Sequence, residues 1–168
     1  MPATVEISET NGAVPGTVTD GITNSNMGST DAPDLDPVTY YVTPGNNTYE
    51  KWQRFHVSNM GGSSAIENIT VWRTGSLGGS AIHLTNARTS SYGGATTYAQ
   101  PTTSTSTVAT QTMPSSNPGS ANLGIGGSLT GSLTAIGYSD YLIHQIQTNA
   151  SDTAGSTSTL NFAYTEIS

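Results

Sequence analysis

Hydrophobic and polar positions alternate along several short stretches of this chain. Residues 3–8 set Val5 and Ile7 against Thr4, Glu6 and Ser8, the period-two pattern of a strand with one buried face. From Glu9 to Pro37 the pattern lapses. Gly12, Pro15, Gly16, Gly21, Gly28, Pro33 and Pro37 break the segment, and its apolar anchors are few: Val14, Val18, Ile22, Met27 and Leu35. Such a stretch predicts an extended arm or long loop without a core of its own, able to add its strand to a neighbouring subunit.

Alternation returns in the middle of the chain. Val38–Thr43, Glu50–Ser58 and Ile66–Arg73 read as three strands, separated by turn signals at Pro44-Gly45-Asn46-Asn47 and Gly61-Gly62-Ser63-Ser64, and so as an antiparallel meander. In the second, Phe55 and Val57 share one face while Trp52, Arg54 and His56 share the other. In the third, Ile69 and Val71 oppose Asn68, Thr70 and Trp72. Residues 74–137 are low in complexity, with Gly-Gly pairs at 78–79, 93–94 and 126–127, and short strands are expected at 81–85, 95–99 and 106–113. The C-terminal part carries Tyr141, Leu142, Ile143 and Ile146, then Leu160, Phe162 and Tyr164 in alternation. The loop from Ala150 to Gly155 predicts a hairpin between these two runs.

Seven or eight short strands with frequent turns and almost no helical periodicity predict an all-β fold, an antiparallel β-sandwich of immunoglobulin-like type. The expected organisation is an extended N-terminal arm over 1–37 and a β-sandwich domain over 38–168, a size that suits one domain.

Composition sharpens this picture. Apolar residues make up 33% and charged residues 9% of the 168, so the chain is not of the charge-rich disordered kind. Ser and Thr supply about three residues in ten and Gly another 19, suiting short strands joined by long turns. The formal charge is −7, with Lys51, Arg54, Arg73 and Arg88 as the basic residues. That excludes the electrostatic attraction behind most binding to nucleic acid or to anionic membranes. With no cysteine, neither a disulfide framework nor a thiolate zinc site is possible. Met1–Glu6 shows no basic region leading into an apolar one, so the expectation is synthesis and assembly in the cytoplasm. An external-type composition without an export signal fits a virus particle built inside a cell.

Two segments carry a resemblance. Asn47–Ser58, NTYEKWQRFHVS, followed by Ile66–Trp72, IENITVW, and the closing run Tyr141 to Glu166 resemble immunoglobulin-like domains of tailed-bacteriophage virion proteins, over about half the chain. The resemblance implies a non-enzymatic structural part of the particle, a capsid decoration or cement protein, with a neck or tail accessory protein as variant. It would sit in the virion, bound to capsid or other virion proteins, with homo-oligomeric contacts through the N-terminal arm.

The chemistry-bearing residues form no recognisable motif. His56, His83 and His144 lie far apart, with no His-x-His or His-Glu-x-x-His spacing, and are expected as ordinary strand-face histidines. Asp31, Asp34 and Asp36 offer hard oxygen donors of the kind that hold calcium, but the Glu that closes a calcium loop is absent, and Pro33 and Pro37 favour a rigid turn. No Gly-x-Ser-x-Gly elbow is present, and Gly124–Ser128 lacks the Lys of a phosphate loop. No catalytic residue, cofactor or metal ligand is therefore expected. The alternative reading is a glycan- or host-surface-binding module, with Trp52, Trp72, Tyr92 or Tyr98 as stacking platforms.

Overall fold

A computed structural model of the chain describes residues 1–153 and 156–168. Among these there is no helix. Ten strands form: β1 (Thr4–Asn11), β2 (Thr17–Thr19), β3 (Lys51–Asn59), β4 (Ala65–Gly75), β5 (Ile82–Thr85), β6 (Gln111–Thr112), β7 (Ser132–Leu133), β8 (Gly137–Tyr138), β9 (Leu142–Gln147) and β10 (Ser158–Ile167). Seven of them build one antiparallel sheet in the order β2-β1-β3-β9-β5-β6, with β8 also paired to β3; the other three form a second sheet, β10-β4-β7. Two antiparallel sheets with a shared core are consistent with a β-sandwich.

The core follows the alternation in β3 and β4. Phe55 and Val57 from the large sheet and Ile66, Ile69 and Val71 from the small one are buried together with Leu142, Met113, Leu123 and Ala87. Each of these side chains larger than Ala87 contributes on the order of 1.5–3 kcal/mol by leaving water. The Phe55 ring lies 6.4 Å from Phe162 and 5.0 Å from Tyr164 of β10.

Trp52 points to the opposite face of the large sheet, where a second buried cluster joins it to Tyr141, Ile143 and Ala109, flanked by Leu84, Ala95, Tyr98 and Val108. The Ser/Thr-rich segment around 95–110 covers this face. It is held by Gln145, fully buried, whose Nε2 donates to the carbonyls of Thr48, Thr102 and Ser104. The long low-complexity stretch thus gives the sheet a second buried face, which a plain inter-strand connection would not need. Two buried asparagines stand in for strand neighbours. Asn122 accepts from the Val71 amide and donates to its carbonyl, both at 2.8 Å, and Asn86 does the same between Ile143 N (2.8 Å) and Tyr141 O (2.7 Å).

Several expectations need correction. Residues 38–43 form no strand: Asp36 accepts from Val38 N and Thr39 Oγ1 to close a turn, and Val38 and Tyr41 are exposed. Prolines at both ends leave this stretch without a strand partner. β3 and β4 are not neighbours in a meander, because the turn at 61–64 carries the chain from one sheet to the other. A side chain at Gly61, where φ is +58°, would meet the carbonyl oxygens of Met1 and Pro2. The closing runs are not a hairpin either: β9 pairs with β3 and β5, and β10 with β4. Of the loop between them, Ala154 and Gly155 lie outside the described residues. The strand expected at 95–99 reduces to one bridge, Ala95 with Tyr141, and that at 106–113 to β6.

The N-terminal segment is also not a free extension. β1 pairs with β3 from Thr4↔Asn59 to Thr10↔Trp52 and with β2 on its other side. Leu35 is buried, and Lys51 donates to the Ala32 carbonyl at 3.0 Å. Polar residues bring the segment in, because their hydrogen bonds are satisfied by the sheet they join.

Candidate functional site

The inner face of the large sheet changes character along its length. Beyond Phe55 and Leu142 the same face carries Glu9 of β1, Lys51 and Gln53 of β3, His144 of β9 and His83 of β5, all buried. The registers Glu9↔Gln53, Lys51↔His144 and His83↔Ile146 set them as direct and diagonal neighbours in one band across that face. Lys51 Nζ lies 2.6 Å from Glu9 Oε1, and Gln53 Nε2 donates to Glu9 Oε2 at 2.8 Å. The row continues through His144 Nε2 to Gln53 Oε1 and His83 Nε2 to His144 Nδ1, each 2.9 Å.

This chain of contacts sets its own proton positions. Glu9 accepts only, so the Gln53 amide nitrogen faces it and the Gln53 oxygen faces His144. His144 must then carry its proton on Nε2 and accept at Nδ1, which puts the His83 proton on Nε2. Burial pulls the His83 pKa down to about 4, with the charge of Arg73 adding to the effect. Burial likewise holds His144 well below its ordinary value, followed by His83 and Lys51. Both imidazoles are therefore neutral near pH 7. Hydrogen bonds link them to the Glu9 carboxylate through the Gln53 amide, which cannot take a proton, and the Ser25 hydroxyl bonds to Gln53. The row holds a geometry and is not arranged to activate a nucleophile. A cavity of about 400 Å³ adjoins it, lined by His83, His144 and Arg73 with Ile7, Ile146 and Phe162 among others.

A second group stands on the outer face. Glu6 of β1, His56 of β3 and Tyr138 of β8 are cross-strand neighbours in one row. The His56 ring stacks on Tyr138 with centroids 4.1 Å apart and planes 16° apart. Asp20, just past β2, joins them. Its Oδ1 accepts from Ser8 Oγ at 2.5 Å, and both its oxygens accept from Tyr138 OH at 3.1 and 3.2 Å. The Ser8 hydrogen bond holds the Asp20 carboxyl below its ordinary pKa against a smaller opposing effect of burial, with Tyr138, His56 and Arg54 helping. His56 Nδ1 is 2.8 Å from Glu6 Oε1 and 3.6 Å from Asp20 Oδ1. It has no in-line hydrogen-bond partner and no contact with solvent.

The other sequence candidates fall elsewhere. Asp31 is taken up by Asn11 Nδ2 and Gly12 N, Asp34 by Thr23 and Asn24, and Asp36 by Val38 and Thr39. Each carboxylate closes a different turn, and they do not converge on one centre among the described residues. Gly127 N of the glycine run donates to Asp140 Oδ2 at 2.8 Å, so a carboxylate already sits where a phosphate would. Trp52 is buried edge-on against Tyr98 and Tyr141, each 5.4 Å away, and offers no stacking platform. An exposed aromatic does occur at Tyr41, in a hollow of about 680 Å³ lined with Ser29, Thr39, Asn46, Asn47 and Thr103.

No family model, curated protein or solved structure matches the chain. The functional reading therefore rests on the sequence and structure of the chain itself. Sequence reasoning missed both histidine groupings. His83 and His144 are 61 residues apart, and only the β5–β9 register, which alternation does not specify, brings them together.

Proposed function

We propose that this chain is a non-enzymatic structural component of a bacteriophage particle: an immunoglobulin-like capsid decoration or cement protein, with a neck or tail accessory protein as variant. The observation that carries the reading is the edge of the small sheet. β10 runs for ten residues, Ser158–Ile167, with β4 on one side and no strand on the other among the described residues. It contains neither Pro nor Lys, the usual means by which a sheet edge is kept from pairing. Its inward side chains Leu160, Phe162 and Tyr164 are only half-buried. A strand supplied by a neighbouring virion protein would pair with this edge and cover those side chains, the geometry of strand addition. The contact formerly expected of a free N-terminal arm passes to this edge, since β1 is engaged within the chain. Many weak contacts of this kind on one lattice reinforce each other.

Co-sedimentation with capsids lacking the protein tests the reading. Wild type is expected to bind saturably at symmetry-fixed stoichiometry. The double variant Thr159→Lys, Asn161→Lys, both on the outward face of β10, should unfold at the wild-type denaturant midpoint and fail to bind. Binding of this variant at wild-type level would reject the edge as the contact.

One observation favours a second reading as a glycan- or host-surface-binding module. The Tyr41 hollow combines an exposed ring with hydroxyl and amide groups, the pairing that sugars require. Calorimetric titration with cell-surface polysaccharides should then give heat that Tyr41→Ala removes; absence of heat with wild type would dismiss it.

A further inference from the structure

Apart from any role in a particle, we infer that Glu6, Asp20 and His56 form a binding site for a divalent transition-metal ion of the zinc or manganese type. The donor set is one imidazole nitrogen and two carboxylates, the mixture that such ions take with water completing the shell. The donor atoms all lie within 4.8 Å of one another. Around a tetrahedral ion with bonds of about 2.0–2.1 Å, ligand atoms stand about 3.3 Å apart; the 2.8 and 3.6 Å separations from His56 Nδ1 bracket that value.

Three features set this group apart from a chance surface ion pair. His56 Nδ1 is shut off from solvent yet lacks an in-line hydrogen bond, so its one good electron-pair direction is spent on nothing in the protein. The ring plane is fixed by the stack on Tyr138. The Asp20 carboxylate is oriented by two hydroxyls, from Ser8 and Tyr138, the outer support that metal ligands characteristically have. Glu6 and Asp20 are 32% and 45% exposed at their side chains, so both can part slightly to admit an ion and leave its outer positions to water. Gly21 belongs to the same design, because a Cβ there would press on Glu6 Oε2 at 3.0 Å. Among the described residues the cation beside the group is Arg54, whose guanidinium lies 3.8 Å over the Tyr138 ring, and two carboxylates outweigh it.

The three ligands come from β1, β3 and the turn after β2. A bound ion would therefore clamp the β1–β2 hairpin onto the sheet and raise the melting temperature with metal concentration.

Titration of ZnCl2 into the untagged full chain, first stripped with EDTA, should show one ion bound per chain. His56→Gln and Asp20→Asn should each abolish that uptake. Ser8→Ala, which removes only an outer partner, should weaken it roughly tenfold, and Glu67→Gln, a half-buried carboxyl elsewhere on β4, should leave it unchanged. Mn2+ added to isotope-labelled wild type should broaden the amide signals around Glu6, Asp20, His56 and Tyr138 first, a reading that does not depend on any variant folding. No zinc uptake by wild type at millimolar concentration, uptake that survives both ligand variants, or broadening centred elsewhere, such as Asp31, Asp34 and Asp36, would each overturn the assignment.

Discussion

β3 presents two histidine neighbourhoods on its two faces, and they differ in what water can reach. On the inner face Gln53 links the buried Lys51–Glu9 pair to His144 and His83, and every one of these residues is nearly inaccessible. On the outer face, three residues along, His56 meets Glu6 and Asp20, whose carboxylates remain in contact with solvent. The same types of side chain thus serve as a fastening inside and as an adaptable group outside. Burial decides between the two roles: an uncompensated charge in the interior is expensive, whereas one at the surface is screened.

The strongest way to break the comparison is to orphan a charge in the inner row. Glu9→Ala leaves the Lys51 ammonium buried without a counter-charge and should destabilise the fold by about 3–5 kcal/mol in urea denaturation. Replacing both partners, as Glu9→Gln with Lys51→Met, should recover most of that loss. A loss no larger than that at the outer cluster would erase the distinction.

Acid tests the same row without mutation. His83 is neutral in the folded chain with its pKa near 4, while in the unfolded chain it titrates near 6.5. As pH falls below about 6.5 the unfolded state takes up the proton first, so stability is complete above that pH and declines until the folded pKa is reached. The decline should approach roughly 3 kcal/mol for His83 alone, seen as a falling urea midpoint between pH 7 and 4.5 and flattened in His83→Gln. The hydrogen-bonded carboxylates of Asp20, Asp34, Asp36 and Asp152, all held below 3.8, act only at lower pH.

Asn122→Ala removes the two hydrogen bonds that make this side chain a neighbour of β4 and should cost about 1–3 kcal/mol, by the same denaturation. The smallest effect belongs to the outer cluster: without added metal, Asp20→Asn should change stability by less than about 1 kcal/mol.

Much of the strand content was legible from alternation alone. Phe55 and Val57 against Trp52, and Ile69 and Val71 against Thr70, gave β3, β4 and the faces they bury, and the Leu160-Phe162-Tyr164 repeat gave β10. Strand partnership was not legible. A period of two tells which side of a strand is apolar but not which strand lies next to it, so β3–β4 and β9–β10 read as neighbours when they belong to different sheets. Val38, Tyr40 and Tyr41 suit a strand by type, yet they found no partner between Pro37 and Pro44. The buried row escaped detection because charged and amide residues are normally outside; Glu9 and Lys51 are inside because they pair with each other and with Gln53 and the Ala32 carbonyl. The cover at 95–110 was hidden because its apolar contacts, Ala95, Tyr98, Val108 and Ala109, are scattered among Ser and Thr and leave no periodic mark on a hydropathy pattern.

Lys51 is the only lysine in the sequence, and its amine is enclosed by Glu9 and the Ala32 carbonyl. The folded protein therefore presents no lysine amine to an acylating reagent, and any label that appears at Lys51 marks a molecule that has opened. Timed acylation would thus count unfolding events directly, one residue serving as a chemical clock for the whole large sheet.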